Sequence, residues 1–281
     1  MIARRRGLFL LGAGVAAMLV AGCGPSAEPA ALDDLPVAVS SPYLEAAVTD
    51  VLGWKVPLVR LAGPGMCPGH FDIRPSQIRE LSKCRLLVRF DFQEGLDKKI
   101  AGRTDGTPRT VVVEPPGGLC VPDTYLAVCR RLAEHFVADG TLSQKDADAR
   151  LAEIERRAAA LRKEAVGKID SAGLRDAPVL CGGHQSEFCR WLGLRVAAEF
   201  PSAEAASTGR LDRAVRDADA AGVRLIVANE PEGRRAADAL ADRLHARVVV
   251  FANFPEPGKQ RAFDAMVRRN LSALTAATEQ P

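Results

Sequence analysis

SQKDADARLAEIERRAAALRKEAVGK, residues 143–168, is the stretch on which the architecture turns. Ser143 precedes Asp146 by three residues, the pattern of a helix start whose hydroxyl caps the first turn. Ala147, Leu151, Ile154, Ala158, Leu161 and Ala165 follow at alternating spacings of four and three, so they form one apolar stripe on a helix. At about 1.5 Å per residue that helix is roughly 39 Å long. One βαβ unit does not need a helix of that length. It either crosses between two lobes or forms an arm of a coiled-coil hairpin.

Both flanks read as strand–helix alternation. Upstream, strands are expected over residues 36–40, 56–61, 85–90 and 109–113. Helices are expected from Ser41 to Leu52, over 75–82, and from Pro122 to about Ala138. Downstream, strands are expected over 178–181, 194–200, 223–228 and 248–252. The helices between and after them run from about His184 to Leu192, through Leu211 to Ala221, through Ala237 to Leu244, and from Arg261 to Ala276. Alternation of this kind implies parallel sheets covered by helices. The fold class is therefore α/β, two βαβ lobes with parallel sheets joined by a long α-helix. The boundaries are 35–138 for the first lobe, 139–170 for the linking helix and 171–281 for the second lobe.

The N-terminus carries an export signal. Arg4, Arg5 and Arg6 form a positive start, and residues 7–20 are apolar or small but too few to span a bilayer permanently. Leu19-Val20-Ala21-Gly22-Cys23 then reads as a lipobox, so residues 1–22 are a lipoprotein signal peptide and Cys23 is the lipidated residue. The Arg5-Arg6 pair leaves twin-arginine export open beside the general route. Residues 23–34, rich in Gly, Pro, Ala and Ser, form a flexible tether. The expected location is the outer side of a membrane, with the chain held there by lipid.

Charge excludes one large class of partner. The chain has 38 Lys+Arg and 35 Asp+Glu. Without the three leader arginines the two signs balance, so no nucleic-acid partner is indicated. Six cysteines follow the tether: Cys67, Cys84, Cys120, Cys129, Cys181 and Cys189. An even count in an exported chain favours disulfides, with metal ligation as the competing reading.

Two segments carry the candidate chemistry. Cys67-Pro-Gly-His70 lies in a Gly/Pro-rich loop after the second strand, and Cys181-Gly-Gly-His184 ends the first strand of the second lobe. Each places a histidine beyond the carboxyl end of a strand, where open α/β sheets bind ligands. A neutral imidazole there can hold zinc, manganese or another divalent ion. Cys120, just after another strand, is either a thiolate ligand or half of a disulfide. Glu230 could orient a ligand histidine by accepting its hydrogen bond, or could be a helix-start acid. Asn253 and Glu256 follow the last strand and could offer oxygen. His135 and His245 read as structural. No nucleophile elbow, phosphate loop or dinucleotide fingerprint is present, which points to a binding protein and not an enzyme.

At this level of detail the chain resembles the zinc/manganese solute-binding proteins of bacterial metal-uptake ABC transporters, the cluster A-I or metal-chelate-binding family. The resemblance runs from about Leu35 to Gly258. "PVAVSSPYLEAAVTDVLGWKVPLVRLAGPGMCPGHFDIRPSQIRELSKCRLLVRF" is similar to the family's opening, and His70 matches its first ligand. "CGGHQSEFCRWLGLRV" is similar to the family's "HDAFGYFAKRYGL", with His184 on the ligand position. "GVRLIVANEP" and "ARVVVFANFPEPG" resemble the two following strand ends. The family's second histidine aligns with Gly117, which leaves Cys120 as the nearest donor, and its aspartate aligns with Asn253.

The resemblance implies a lipid-anchored protein that captures a divalent transition metal as cargo, zinc first and manganese next, and hands it to an ABC permease. The implied ligands, in the cleft between the two lobes, are His70, His184, Cys120 and Asn253. Two alternatives are a relative of the same fold that binds another solute or a protein partner, and a thiol oxidoreductase.

Overall fold

The computed structural model describes residues 36–63, 73–101, 108–202 and 207–279. The signal and tether, Cys23 included, and the loop with Cys67 and His70 lie outside the described residues.

In chain order the first lobe contains β1 (Val37–Val39), α1 (Pro42–Leu52), β2 (Leu58–Arg60), α2 (Pro75–Leu81), β3 (Leu86–Phe90), α3 (Gly95–Ile100), β4 (Arg109–Val113) and α4 (Pro122–Ala138). The linking helix is α5 (Gln144–Ser171). The second lobe contains β5 (Pro178–Gly182), α6 (Ser186–Trp191), β6 (Arg195–Phe200), α7 (Thr208–Ala220), β7 (Leu225–Asn229), α8 (Arg235–Leu244), β8 (Arg247–Phe251) and α9 (Ala262–Glu279). Short 3₁₀ turns follow three strands: Asp91–Gln93 after β3, Gly183–Gln185 after β5 and Glu230–Glu232 after β7.

Each lobe holds one parallel four-stranded sheet, in the orders β2-β1-β3-β4 and β6-β5-β7-β8. The two sheets therefore share a topology. In each, the chain steps outward once, crosses back over the first strand and steps outward again. The crossover puts a switch point between β1 and β3 in one lobe and between β5 and β7 in the other, the place where neighbouring connections leave in opposite directions.

Period-two alternation sorts the strands between cores. Val37, Val39, Leu86, Val88 and Phe90 face the main core, while Ala38 and Leu87 face a smaller one on the outer side of the first sheet. Val179, Cys181, Leu225 and Val227 likewise join the main core, and Leu180, Ile226 and Ala228 an outer one. The main core runs through both lobes and takes in the stripe Ala147, Ile154, Leu161 and Ala165 of α5.

The linking helix crosses between lobes; it is not an arm of a separate hairpin. It has 28 residues, about 42 Å at about 1.5 Å per residue. Ser143 caps it, its Oγ accepting from Asp146 N at 3.1 Å. A buried charge network fixes it to both neighbours. Arg157 of α5 donates through both Nη atoms to Asp50 of α1, and its Nε lies 3.1 Å from Asp264 Oδ2 of α9. Tyr125 of α4 donates to Asp50 Oδ2 at 2.8 Å, and its ring stacks on Phe263 with centroids 3.9 Å apart. Burial holds the Asp264 carboxyl above the ordinary aspartate value, opposed by Arg157.

Two local features differ from the sequence expectation. The six-residue α3 is short enough to escape a periodicity reading, although Leu96 and Ile100 bury one face four residues apart. The single helix expected from His184 to Leu192 is a 3₁₀ turn followed by α6. Among the described residues no helix is long and apolar enough to cross a membrane.

Candidate metal site

The switch point of the second sheet gathers the polar side chains. β5 runs into the turn Gly183–Gln185 and β7 into the turn Glu230–Glu232, so both turns stand side by side at the carboxyl edge. His184 on the first turn is largely exposed, and its Nε2 lies 3.3 Å from Glu232 Oε1 on the second. Asn229, the last residue of β7, donates from Nδ2 to the same Glu232 oxygen at 3.2 Å and so fixes its carboxylate.

The next residue points the other way. Gln185 is fully buried beneath the edge. Its Nε2 donates to Asn229 Oδ1 at 3.0 Å and reaches Asn253 Oδ1 at 3.5 Å. Its Oε1 is buried without a partner. Asn253 follows β8 and meets the first lobe here: Cys120 Sγ lies 3.3 Å from Asn253 Oδ1 and 3.6 Å from Ala252 O. Asn270 of α9 clamps the same strand end, pairing its amide with Ala252 N and O at 2.8 and 2.9 Å. Burial pushes the Cys120 thiol up to about 12, and the Gln185 side chain pulls it down in part. The deep cluster of Cys120, Gln185, Asn229 and Asn253 is therefore uncharged at neutral pH.

Gly117 and Gly118 explain the loop after β4. A Cβ on Gly117 would stand 2.8 Å from Glu187 Oε2, and one on Gly118 would stand 2.9 Å from Glu187 Cβ. Glu187, on α6 of the other lobe, fills that space and accepts a hydrogen bond from Gly118 N. At the position that aligns with the family's second histidine, a carboxylate from the opposite lobe lies against the glycine, and a side chain there would have to displace the end of Glu187.

The structure distributes the sequence-predicted residues as follows. Cys120 and Asn253 come together across the lobes. His184 stands at the rim of the same edge. His70 lies outside the described residues. Glu230 turns outward to Arg269 of α9, with Oε1 2.5 Å from Nη2, so the carboxylate beside His184 is Glu232. The turn is three residues long, and its first and last side chains leave it in different directions. Sequence reasoning missed Gln185, Glu187, Asn229 and Glu232. Their signal was position alone, on the turns that end β5 and β7 and on the helix that follows. Glu256 is exposed on the loop after β8. Among the described residues no three His, Cys, Asp or Glu side chains are grouped to hold a metal ion. The disulfides expected from the even cysteine count are not formed there either: Cys84, Cys120, Cys129, Cys181 and Cys189 are all free and buried.

No protein-family model matches the chain, and no curated protein matches it in sequence. Solved structures do match in fold. The Mn2+ complex of the solute-binding protein FpvC from Pseudomonas aeruginosa aligns at TM-score 0.72 and 16% identity, over 87% of this chain and 98% of that one. ZnuA aligns at TM-score 0.69 and 13% identity, over 88% and 100%. The laminin-binding protein Lmb of Streptococcus agalactiae, described as a bifunctional adhesin and metal transporter, aligns at TM-score 0.69 and 16% identity, over 87% and 99%. This chain has the two-lobed fold of these binding proteins.

Proposed function

We propose that the protein is the solute-binding component of a metal-uptake ABC system, exported, anchored through lipid on Cys23, and carrying a divalent transition metal to its permease. The observation that carries this reading is the His184–Glu232 pair. It sets an imidazole nitrogen and a carboxylate oxygen 3.3 Å apart at the switch point of a sheet, beside the one place where Cys120 and Asn253 join the lobes. The fold likeness to proteins described with Mn2+ and as metal transporting agrees with it.

In this reading the ion sits at the rim. The deep amides bring no charge, so Glu232 supplies the compensating carboxylate and His184 the nitrogen, while His70 completes the set from the first lobe. Cys120 joins only if the ion displaces its proton, which its raised pKa resists and which zinc achieves better than manganese. Zinc is therefore the first choice and manganese the second. Elemental analysis of protein purified without added metal, followed by calorimetric titration with zinc and manganese, tests this. One ion per chain is expected; no bound metal and no heat with either ion would overturn it. Cys23→Ala is expected to release the protein from the membrane fraction, and an Ala variant that remains lipid-labelled would remove the anchor.

One observation favours a second reading. The cluster Gln185, Asn229 and Asn253 is neutral, buried and left with an unpartnered Gln185 oxygen, as suits a fold relative that binds another solute. A negative metal titration selects it.

A further inference from the structure

Two glutamates stand at matching stations and reach across the lobe seam in opposite directions. Glu45 lies on α1, the helix after the first strand of the first sheet, and Glu187 on α6, the helix after the first strand of the second. Gly118 lies in the loop after β4 and Gly258 in the loop after β8, so each follows the last strand of its lobe. Glu187 accepts a hydrogen bond from Gly118 N, and Glu45 Oε1 accepts one from Gly258 N at 2.8 Å. Each lobe thus offers a carboxylate to the other lobe's last loop. Glu45 is buried and held in place by Arg60, whose Nε and Nη2 both donate to it. Gly258 has φ +70°, the left-handed backbone that favours glycine.

Both anchored loops carry a residue of the candidate site. Gly118 O accepts from Val121 N at 3.0 Å, which closes a tight turn with Cys120 inside it. Asn253 lies upstream of Gly258, and Pro255 and Pro257 stiffen the chain between them. Fixing the two glycine N–H groups therefore fixes the two loops that meet where Cys120 Sγ lies 3.3 Å from Asn253 Oδ1. We propose that Glu45 and Glu187 are a reciprocal pair of positioning residues: each clamps the opposite lobe's last loop, and together they hold Cys120 against Asn253. A carboxylate suits this task because its hydrogen bond to a backbone N–H is stronger than that of a neutral acceptor. The inference holds whichever solute binds.

The test reads how fast Cys120 becomes accessible in the folded chain. Trypsin releases residues 110–130 as one peptide with Cys120 and Cys129 and no other cysteine. Cys129 is fully buried on α4 and reports general loosening. Full-length protein without metal, kept reduced by a phosphine, is alkylated with iodoacetamide for timed intervals, quenched, digested and sequenced by mass spectrometry. In Glu187→Ala and in Glu45→Ala, Cys120 is expected to react about tenfold faster than in wild type, as loss of one hydrogen bond to a charged group allows, while Cys129 keeps its wild-type rate. Glu187→Gln and Glu45→Gln retain an acceptor oxygen and should return Cys120 towards the wild-type rate. Unchanged Cys120 in either Ala variant, equal acceleration of Cys120 and Cys129, or Gln variants as fast as the Ala variants would each overturn the proposal. Wild-type protein supplies a readout that needs no variant. Hydrogen exchange followed by NMR should find the amides of Gly118 and Gly258 protected, and exchange of either at the rate of an unstructured glycine would also overturn it.

Discussion

The two sheets have one topology and different edges. In the first lobe the switch point is sealed: Ser40 Oγ donates to Gln93 Oε1 at 2.5 Å, and the same oxygen accepts from Phe90 N at 2.9 Å. Ser40 and Gln93 are both buried. In the second lobe the corresponding slot holds His184 and Glu232, with the imidazole 64% exposed. Gln93 and Glu232 occupy the same station, the last residue of the 3₁₀ turn after the third strand of each sheet. One lobe fills it with a neutral amide that closes the backbone, the other with a carboxylate that faces an open imidazole. Identical connectivity thus yields a sealed edge in one lobe and an open edge in the other, with different side chains at the same station.

The connection between the lobes is where the largest effect is expected. Arg157→Ala leaves Asp50 and Asp264 buried without their cation, and loss of one partner of a buried pair typically costs about 3–5 kcal/mol. Chemical denaturation should show a loss of that size, and a loss below about 1 kcal/mol would mean that the network does not hold the lobes together.

Next in size is the open edge of the second lobe. His184→Ala and Glu232→Gln should each weaken zinc binding by about 100-fold, with the double variant little worse than either, because both act on one ion. Ser40→Ala and Gln93→Ala should leave affinity unchanged. Equal losses from both edges in calorimetric titration would erase the distinction between them.

The sealed edge should instead reveal itself in stability. Ser40→Ala removes a buried donor from Gln93 and is expected to cost about 1–3 kcal/mol. His184→Ala, at an exposed position, should change stability in the absence of metal by less than about 0.5 kcal/mol. The reverse ranking in urea unfolding would show that the second edge is the structural one.

The smallest effect concerns pH. Burial raises Asp264 in the folded state above the ordinary aspartate value of 3.8. The folded chain therefore binds this proton more tightly than the unfolded chain. Its contribution is most favourable at low pH and is lost as pH rises from the unfolded value through the raised one. Asp264→Asn should flatten the stability profile across that window, and a variant that runs parallel to wild type there would assign the slope to other groups.

The fold was legible because its signals are local and repetitive. The stripe of α5, the cap at Ser143 and the apolar strands each depend on residues a few positions apart, and both lobes repeat them. The site was legible only in outline. Cys120 and Asn253 were found from their places after strands, and the structure joins them although they stand 133 residues apart. Gln185 was hidden by its neighbour: His184 draws attention as a chemical type, yet on a 3₁₀ turn adjacent side chains point apart, and the amide is the one that enters the lobe interface. Glu230 and Glu232 look interchangeable in sequence, and only the path of the turn sends one to Arg269 and the other to His184.

The sequence by itself determined the order of strands and helices, the parallel character of both sheets and the long helix between them, because periodicity and capping act within a few residues of the chain. The tertiary structure alone decided which edge is sealed and which is open. It also decided that Glu187 takes up the space beside Gly117 and that Cys120 lies beside a neutral amide cluster in place of a charged ligand set. Those outcomes depend on where two lobes meet, and burial, the quantity that fixes the charge state of Cys120 and the partners of Gln185, exists only once they have met.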